Sequence, residues 1–284
     1  MTEPISLHGA IEATLPSVRE LLPDGITLRV ECALVDGDIA VLAADVRLAL
    51  VALVHNAIAA MPDGGVLTVR TEHVEAAGAE LGPVPPLAPG RYMRVTVQDT
   101  GVGMDEAQRV RAIDAHDDEA RGLAQVLGIV RRARGALWLD SATDLGTRAF
   151  LYLPLLAAPE SRRRTVLLAE DETAVRSVVR RMLLGQGFAV REARDGETAL
   201  RIWQAEREHL VGVVTDIVMP VLGGRDLTLA LRADDPMLPV LFISAYAGDI
   251  PELLEGISAP RQLLVKPFTN DAMLSALRAL LADV

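Results

Sequence analysis

An α/β protein of two units in tandem is predicted by three observations. The chain has 284 residues, enough for two domains of ordinary size, each with its own core. From residue 164 onward, strand-like apolar runs and helical patterns alternate five times, the signature of a doubly wound parallel (βα)5 sheet. Before residue 158 the strands and helices are segregated instead, which favours an α+β sandwich with helices on one face of a mixed sheet. Residues 159–163, inside "AAPESRRRT", form the expected linker, so the units are 1–158 and 164–284.

The first unit opens on "SLHGAIEATLPSVRELL", whose apolar positions recur at helical spacing, and continues into the strand-like "GITLRVECAL". "AADVRLALVALVHNAIAAM" is expected to be a strongly amphipathic helix, stopped by Pro62-Asp63-Gly64-Gly65. Strand-like runs at 66–74 and 91–98 flank "ELGPVPPLAPG", a long hairpin loop rich in Pro and Gly. A helix is expected over about 121–134, then two strands over 136–154 with a turn near Asp144-Leu145-Gly146.

In the second unit the decisive stretch is "GVVTDIVMP", residues 212–220. Val213-Val214-Thr215 reads as a buried strand that ends in one carboxylate, Asp216, before a loop closed by Pro220. In open α/β sheets, reactive groups sit just past the carboxyl ends of such strands. Judged alone, Asp216 is more often a turn former. Its neighbours change the balance. "TVLLAEDE" places Glu170 and Asp171 after a strand, "PVLFISAYA" places Ser244 after another, and "QLLVKPF" delivers Lys266 before Pro267. Three clustered carboxylates repel one another, so the arrangement is stable mainly with a divalent cation, and oxygen-only ligands with room for water suit Mg²⁺. The cation and Lys266 would neutralise an incoming phosphoryl group, with Asp216 as the nucleophile. Lys266 is also the single lysine among 28 basic residues. In so arginine-rich a chain it marks a place that wants a compact point charge rather than a planar fork.

The acid pair, "DIVMP" with Gly224 after it, the Ser-Ala pair and "KPF" fall in order and at the spacing of a response-regulator receiver domain, which residues 164–284 resemble throughout. That resemblance implies a flavodoxin-like fold and a phosphoacceptor at Asp216. It also implies Mg²⁺ held by Glu170, Asp171, Asp216 and the Val218 carbonyl, with Ser244 and Lys266 binding the phosphoryl oxygens. The phosphoryl group would come from a histidine kinase or histidine phosphotransferase in trans. Leu263 stands where chemotaxis-type receivers carry an aromatic switch residue.

In the first unit, Asn56 within "HNAIAAMPDGG", Asp99 and the glycines of "QDTGVGM", and the downstream "GTRAFLYLP" resemble the ATP-binding domain of sensor histidine kinases, the GHKL type, over residues 5–155. By that resemblance Asp99 accepts from the adenine amino group and Asn56 helps hold Mg²⁺. Gly101 and Gly103 let the backbone approach the nucleotide, and Gly122 and Thr147 complete the set. The segment where a triphosphate should rest, "DEAQRVRAIDAHDDEARGLAQ", has no phenylalanine and keeps one glycine of the loop, Gly122, with Asp118 and Ala120 at the other two positions. Ala52 and Ala59 likewise replace polar and acidic residues usual around the Asn. Asp114, Asp117, Asp118 and Glu119 crowd that segment with negative charge. One like-charge contact at ~4 Å costs about 4 kcal/mol at a surface-type dielectric. That is roughly the gap between micromolar and millimolar affinity. ATP binding is therefore expected to be weak or absent, and a kinase-like fold kept for packing or docking is the plainer alternative.

Composition sets the remaining bounds. A net charge of −11 without a basic stripe argues against nucleic-acid binding. One cysteine, Cys32, excludes an internal disulfide and fits a reducing cytoplasm. No apolar run is expected to serve as a membrane span, and no signal-peptide pattern opens the sequence. None of His8, His55, His73, His116 and His209 sits in a phosphoacceptor-helix context, so the chain is not expected to phosphorylate its own histidine. A hybrid histidine-kinase-like phosphorelay protein is the leading reading. A kinase acting in trans on another chain, and a non-catalytic scaffold that sequesters a kinase, are the alternatives.

Overall fold

The computed structural model describes residues 5–76, 87–113, 121–156, 164–245, 256–258 and 260–281. The chain divides into two compact units, Met1–Ala158 and Pro159–Val284.

The first unit carries, in order, β1 (Ile5–Ser6), α1 (Leu7–Leu21), β2 (Ile26–Glu31), β3 (Asp38–Ile39), α2 (Ala43–Ala60), β4 (Gly65–Ala76), β5 (Gly90–Gln98), α3 (Glu106–Ile113), α4 (Arg121–Arg132), β6 (Ala136–Ser141) and β7 (Thr147–Pro154). Its five-stranded sheet runs β2-β4-β5-β7-β6, with β2 parallel to β4 and the other pairs antiparallel. Alternation along the strands divides the side chains between two faces. Leu67, Val69, Val95, Val97, Leu151 and Leu153 join Ile11, Leu15, Leu50, Leu53, Val126 and Val130 of the helices in one core. This is the expected α+β sandwich. The opposite face was not foreseen: Tyr92, Phe150 and Tyr152 are buried there, Trp138 stacks on Phe150 with centroids 5.4 Å apart, and Arg94 lies 5.2 Å from the Phe150 ring. The scarce aromatics thus gather where the helices do not reach.

Two local readings are corrected. β4 and β5 run longer than expected, to Ala76 and from Gly90, because their antiparallel pairing continues outward from Thr68↔Gln98 to Ala76↔Gly90. Helix α2 is not strongly amphipathic. Its buried residues Val46, Ala49, Leu50, Leu53, Val54 and Ala57 follow helical spacing, but Leu48 on another side is exposed. By length and composition alone α2 is apolar enough to cross a membrane, contrary to the reading of the sequence, although 33% of that window is buried inside the protein.

The short β1–β3 pair, Ile5↔Ile39 and Ser6↔Asp38, closes over a cluster of titratable groups. The Ser6 hydroxyl caps α1 by accepting from the Gly9 N–H and donates to Asp36. His8 lies 3.0 Å from the Thr71 hydroxyl and 3.6 Å from Asp36. The His73 Nε2–H donates to the Val35 carbonyl at 2.8 Å, while its Nδ1 is buried without a partner. Burial lowers both histidines below their ordinary 6.5, against the opposing charge of Asp36. A histidine held neutral this way contributes stability in full above the unfolded-state value. That contribution is lost as pH falls from there toward the lower folded-state pKa, because the unfolded chain then binds more protons. Charging His73 would also bury a second N–H with no acceptor. Stability against denaturant, followed by Trp138 in a Trp203→Phe background, should therefore fall as pH drops from about 7.5 to about 5.5. The decline should flatten in the His8→Asn, His73→Asn pair; an unchanged slope would contradict the assignment.

The second unit runs β8 (Thr165–Ala169), α5 (Thr173–Gly185), β9 (Ala189–Ala193), α6 (Gly196–Glu206), β10 (Leu210–Asp216), α7 (Gly224–Asp234), β11 (Val240–Ser244), β12 (Arg261–Val265) and α8 (Asn270–Leu281). All its strand pairs are parallel, in the order β12-β11-β10-β8-β9. This is the doubly wound flavodoxin-like sheet expected of 164–284. The fifth helix position, between β11 and β12, falls mostly outside the described residues. Leu167, Val213 and Phe242 pack against Trp203 of α6 and Leu227 and Leu231 of α7. Val166, Leu168, Val214, Leu241 and Ile243 alternate to the other face and are equally buried. Strands buried on both faces read as unbroken apolar runs, which is why this unit was so plain in the sequence.

Candidate functional sites

Parallel register decides what meets at the carboxyl edge of the second sheet. Asp216 pairs with Ile243, Thr215 with Ala169, and Ser244 with Val265. Residues at or just past four strand ends therefore share one crevice. Glu170 is 0% exposed, Ser244 2% and Asp216 9%, while Asp171 is exposed. The Lys266 ammonium reaches both buried acids, donating to Glu170 Oε2 at 2.8 Å and Asp216 Oδ2 at 2.6 Å. The Lys266 N–H donates to the Ser244 carbonyl at 2.7 Å, which ties the start of the "KPF" turn to β11, and the Lys266–Pro267 peptide is cis. Val218 donates its N–H to Asp216 Oδ1 at 3.0 Å. Both oxygens of Asp216 are thus oriented, one by backbone and one by the lysine.

Burial pushes the Glu170 carboxyl above its usual range, the Asp216 charge adds to that, and Lys266 opposes both. Burial pulls the Lys266 ammonium down, but its bonds to Asp216 and Glu170 outweigh this and the net direction is upward. Among the described residues, Glu170, Asp171 and Asp216 are the one group of three whose ligand atoms converge, all within 4.8 Å of one another. With Mg–O bonds near 2.1 Å, oxygens on opposite sides of an octahedron stand about 4.2 Å apart. Adjacent ligands of the octahedron stand about 3.0 Å apart, so the three acids, already converging, would draw closer together to hold Mg²⁺. Leu263, three residues before Lys266, is partly buried against the core and pairs with Phe242.

The first unit holds a cavity of about 570 Å³ between α2, α3 and the sheet. Asn56, Asp99, Gly103 and Thr147 line it, with Leu53, Leu123 and Leu139 among its apolar walls. Asp99 is 5% exposed, and its Oδ1 accepts from the Gly101 N–H at 2.9 Å and the Thr147 N–H at 3.1 Å. Burial raises its pKa, against those two bonds. Gly101 and Gly122 lie outside the lining; a Cβ on Gly122 would stand 3.7 Å from Asn56 Oδ1. The chain itself requires both Gly101 and Gly103. A Cβ on Gly101 would sit 2.2 Å from the Ala60 carbonyl, and one on Gly103, at φ +66°, 2.0 Å from the Ala142 carbonyl. The acids of the lid segment, Asp114, Asp117, Asp118 and Glu119, lie outside the described residues.

Two residues escaped sequence reasoning. Ser141 accepts from the Met104 N–H at 2.8 Å, meets the Thr147 hydroxyl at 2.9 Å and donates to the Gly146 carbonyl at 3.0 Å, tying the glycine loop to β6 and β7. Arg176 of α5 bonds the backbone of the acid pair itself. A serine at a strand end and an arginine on a helix carry no spacing signal that would have singled them out.

Two buried carboxylates, Glu170 and Asp216, an exposed one, Asp171, and a lysine at the carboxyl edge of a parallel sheet, preceded by a nucleotide-sized cavity in an α+β sandwich, define a two-component signalling architecture. Residues 166–278 match the response regulator receiver domain, and residues 42–157 match the histidine kinase-, DNA gyrase B- and HSP90-like ATPase. The chain belongs to the two-component signalling proteins that join these two domains. It is 31% identical over 256 residues to sensor kinase CckA of Brucella abortus, covering 81% of this chain and 27% of that protein. Sensor protein EvgS of Escherichia coli K12 is 26% identical over 205 residues, covering 64% of this chain and 17% of EvgS. The chain thus spans about a quarter or less of the length of these relatives. Among solved structures, a mycobacterial sensor histidine kinase, MprB, aligns at 21% identity and a TM-score of 0.44, over 55% of this chain and 100% of that one.

Proposed function

We propose that the chain is a phosphorelay protein whose receiver accepts a phosphoryl group on Asp216 from a phosphohistidine on a partner histidine kinase or histidine phosphotransferase. The observation that carries this reading is the convergence of Lys266 on Glu170 and Asp216 at one sheet edge. In the transfer, a carboxylate oxygen of Asp216 forms the new P–O bond while the donor's P–N bond breaks and its electron pair returns to the imidazole. Mg²⁺, held by Glu170, Asp171, Asp216 and the Val218 carbonyl, would neutralise charge on the phosphoryl oxygens. Lys266 must leave Asp216 Oδ2 for the phosphoryl group, and Ser244 offers a hydroxyl to another oxygen. The charge so added, close to −2 with three acceptor oxygens, moves the loops that carry Ser244 and Lys266. A cytoplasmic setting goes with this chemistry. With Mg²⁺ and acetyl phosphate the protein should gain one acid-stable, base-labile phosphoryl group. Absence of labelling would refute the reading.

For the first unit the reading is weak binding of ATP, with a dissociation constant no tighter than about 1 mM, because of the acidic, glycine-poor lid sequence. A second reading, an ATP-dependent histidine kinase acting in trans, is favoured by the cavity that gathers Asn56, Asp99, Gly103 and Thr147. Calorimetric titration of the whole chain with ATP separates the two. Low-micromolar affinity would promote the kinase.

A further inference from the structure

We infer that Arg176 is a positioning residue for the cation site, acting through the backbone of the acid pair; this rests on the proposed receiver reading. Its Nη1 donates to the carbonyl of Glu170 at 2.8 Å and to that of Asp171 at 3.2 Å. Nη2 donates to the Thr173 hydroxyl at 3.2 Å, and Nε lies 3.6 Å from Glu192 Oε2 on β9. One guanidinium thus spans the loop from the end of β8 to the start of α5 and ties it to the neighbouring strand.

The placement follows from the backbone. The first helical bond of α5 is the Arg176 N–H to the carbonyl of Glu172, so the carbonyls of Glu170 and Asp171 precede the helix and take no bond from its ladder. They need donors from elsewhere, and Arg176 supplies both. Fixing these two peptide planes fixes the Cα–Cβ directions of Glu170 and Asp171, the two ligands contributed by this loop. A lysine cannot do the same work, since one ammonium in the place of Nη1 has no second and third nitrogen to reach Thr173 and Glu192 at the same time. Arg180 also bonds Glu192, at 2.9 Å, so the strand end of the tie is itself braced.

The sign of the effect on Mg²⁺ separates positioning from simple charge. Arg176 is a cation near the site, so if it acted only through its field, removing it would leave Mg²⁺ affinity equal or tighter. If it positions the ligands, removal weakens binding, by about 10-fold on the scale of outer-shell contacts in metal sites. The experiment is Mg²⁺ titration of the full chain, read by Trp203 fluorescence or calorimetry, for wild type, Arg176→Ala and Arg176→Lys, with urea unfolding of each. Both variants should bind Mg²⁺ about 10-fold more weakly. Their acetyl-phosphate labelling rates should recover to wild type at saturating Mg²⁺, a recovery that a merely misfolded loop would not give. Arg176→Gln, which keeps one amide donor pair, should fall between Ala and wild type. Unchanged or tighter Mg²⁺ binding in Arg176→Ala, or a full rescue by Lys, would overturn the inference. Failure of wild type itself to bind Mg²⁺ would instead remove the receiver reading on which it stands.

Discussion

Asp216→Asn abolishes phosphoryl acceptance from acetyl phosphate, to background, while leaving the fold of the second unit in place. The amide keeps the volume of the carboxylate, and its carbonyl oxygen can still accept the Val218 N–H that now bonds Oδ1. What it loses is the negative charge and the nucleophilic oxygen that Lys266 contacts at 2.6 Å. Neutral amide oxygen does not attack phosphorus at a useful rate, and no other carboxylate shares the position. Glu170 is fully buried with one oxygen on Lys266 and the other accepting from the Glu172 N–H, and Asp171 lies exposed at the rim. Phosphorylation with radiolabelled acetyl phosphate checks it. Wild-type labelling in the variant would move the acceptor elsewhere and dissolve the assignment of the crevice.

Lys266→Ala should destabilise the Mg²⁺-free protein by about 3 kcal/mol, at the low end of what breaking a buried ion pair costs. The lysine side chain is 17% exposed and Glu170 0%, so its removal leaves one fully buried carboxylate facing a second with no cation between them. Two conditions should shrink the deficit. Mg²⁺ replaces the missing charge, so it should stabilise the variant more than wild type. Lower pH should help as well. Glu170 already sits above its usual range, and a raised carboxyl pKa means the folded state holds the proton more tightly, so its unfavourable contribution fades as pH falls through that value. In Mg²⁺ the variant should still bind beryllofluoride but show no chemical-shift change at residues 266–269. Equal stability of variant and wild type without Mg²⁺, or a full wild-type response, would show that the switch does not run through this lysine.

The second unit was legible because its physics is repeated in the sequence. A parallel strand buried on both faces must be an apolar run, and a reactive residue at its end must interrupt that run abruptly, as Asp216, Ser244 and Lys266 do. Register then brings those ends to one edge with no further information. The first unit was legible in its layers and less so in its details. Helix α2 reads in the sequence as strongly amphipathic, yet Leu48 stays exposed outside the buried stripe. A one-sided apolar pattern was read where the apolar surface is broader. The β1–β3 pair is two residues a side, too short for periodicity to reveal, and the aromatic cluster behind the sheet depends on Trp138, Phe150 and Tyr152 meeting across strands. By resemblance Gly101 and Gly103 let the backbone approach a nucleotide. The close approaches they permit in the structure are to Ala60 and Ala142. Arg176 and Ser141 act on backbone atoms, and a bond to a carbonyl leaves no trace in the identity of the residue that owns it.

The most direct measurement on the central claim is the location of the phosphoryl group. The full chain, phosphorylated with acetyl phosphate in Mg²⁺, is treated with borohydride, which reduces an aspartyl phosphate to homoserine, and the peptides are then sequenced by mass spectrometry. Homoserine is expected at position 216 alone, and none when Mg²⁺ is chelated before the donor is added. Homoserine at another aspartate, or a phosphoryl group retained on histidine, serine or threonine, would contradict it.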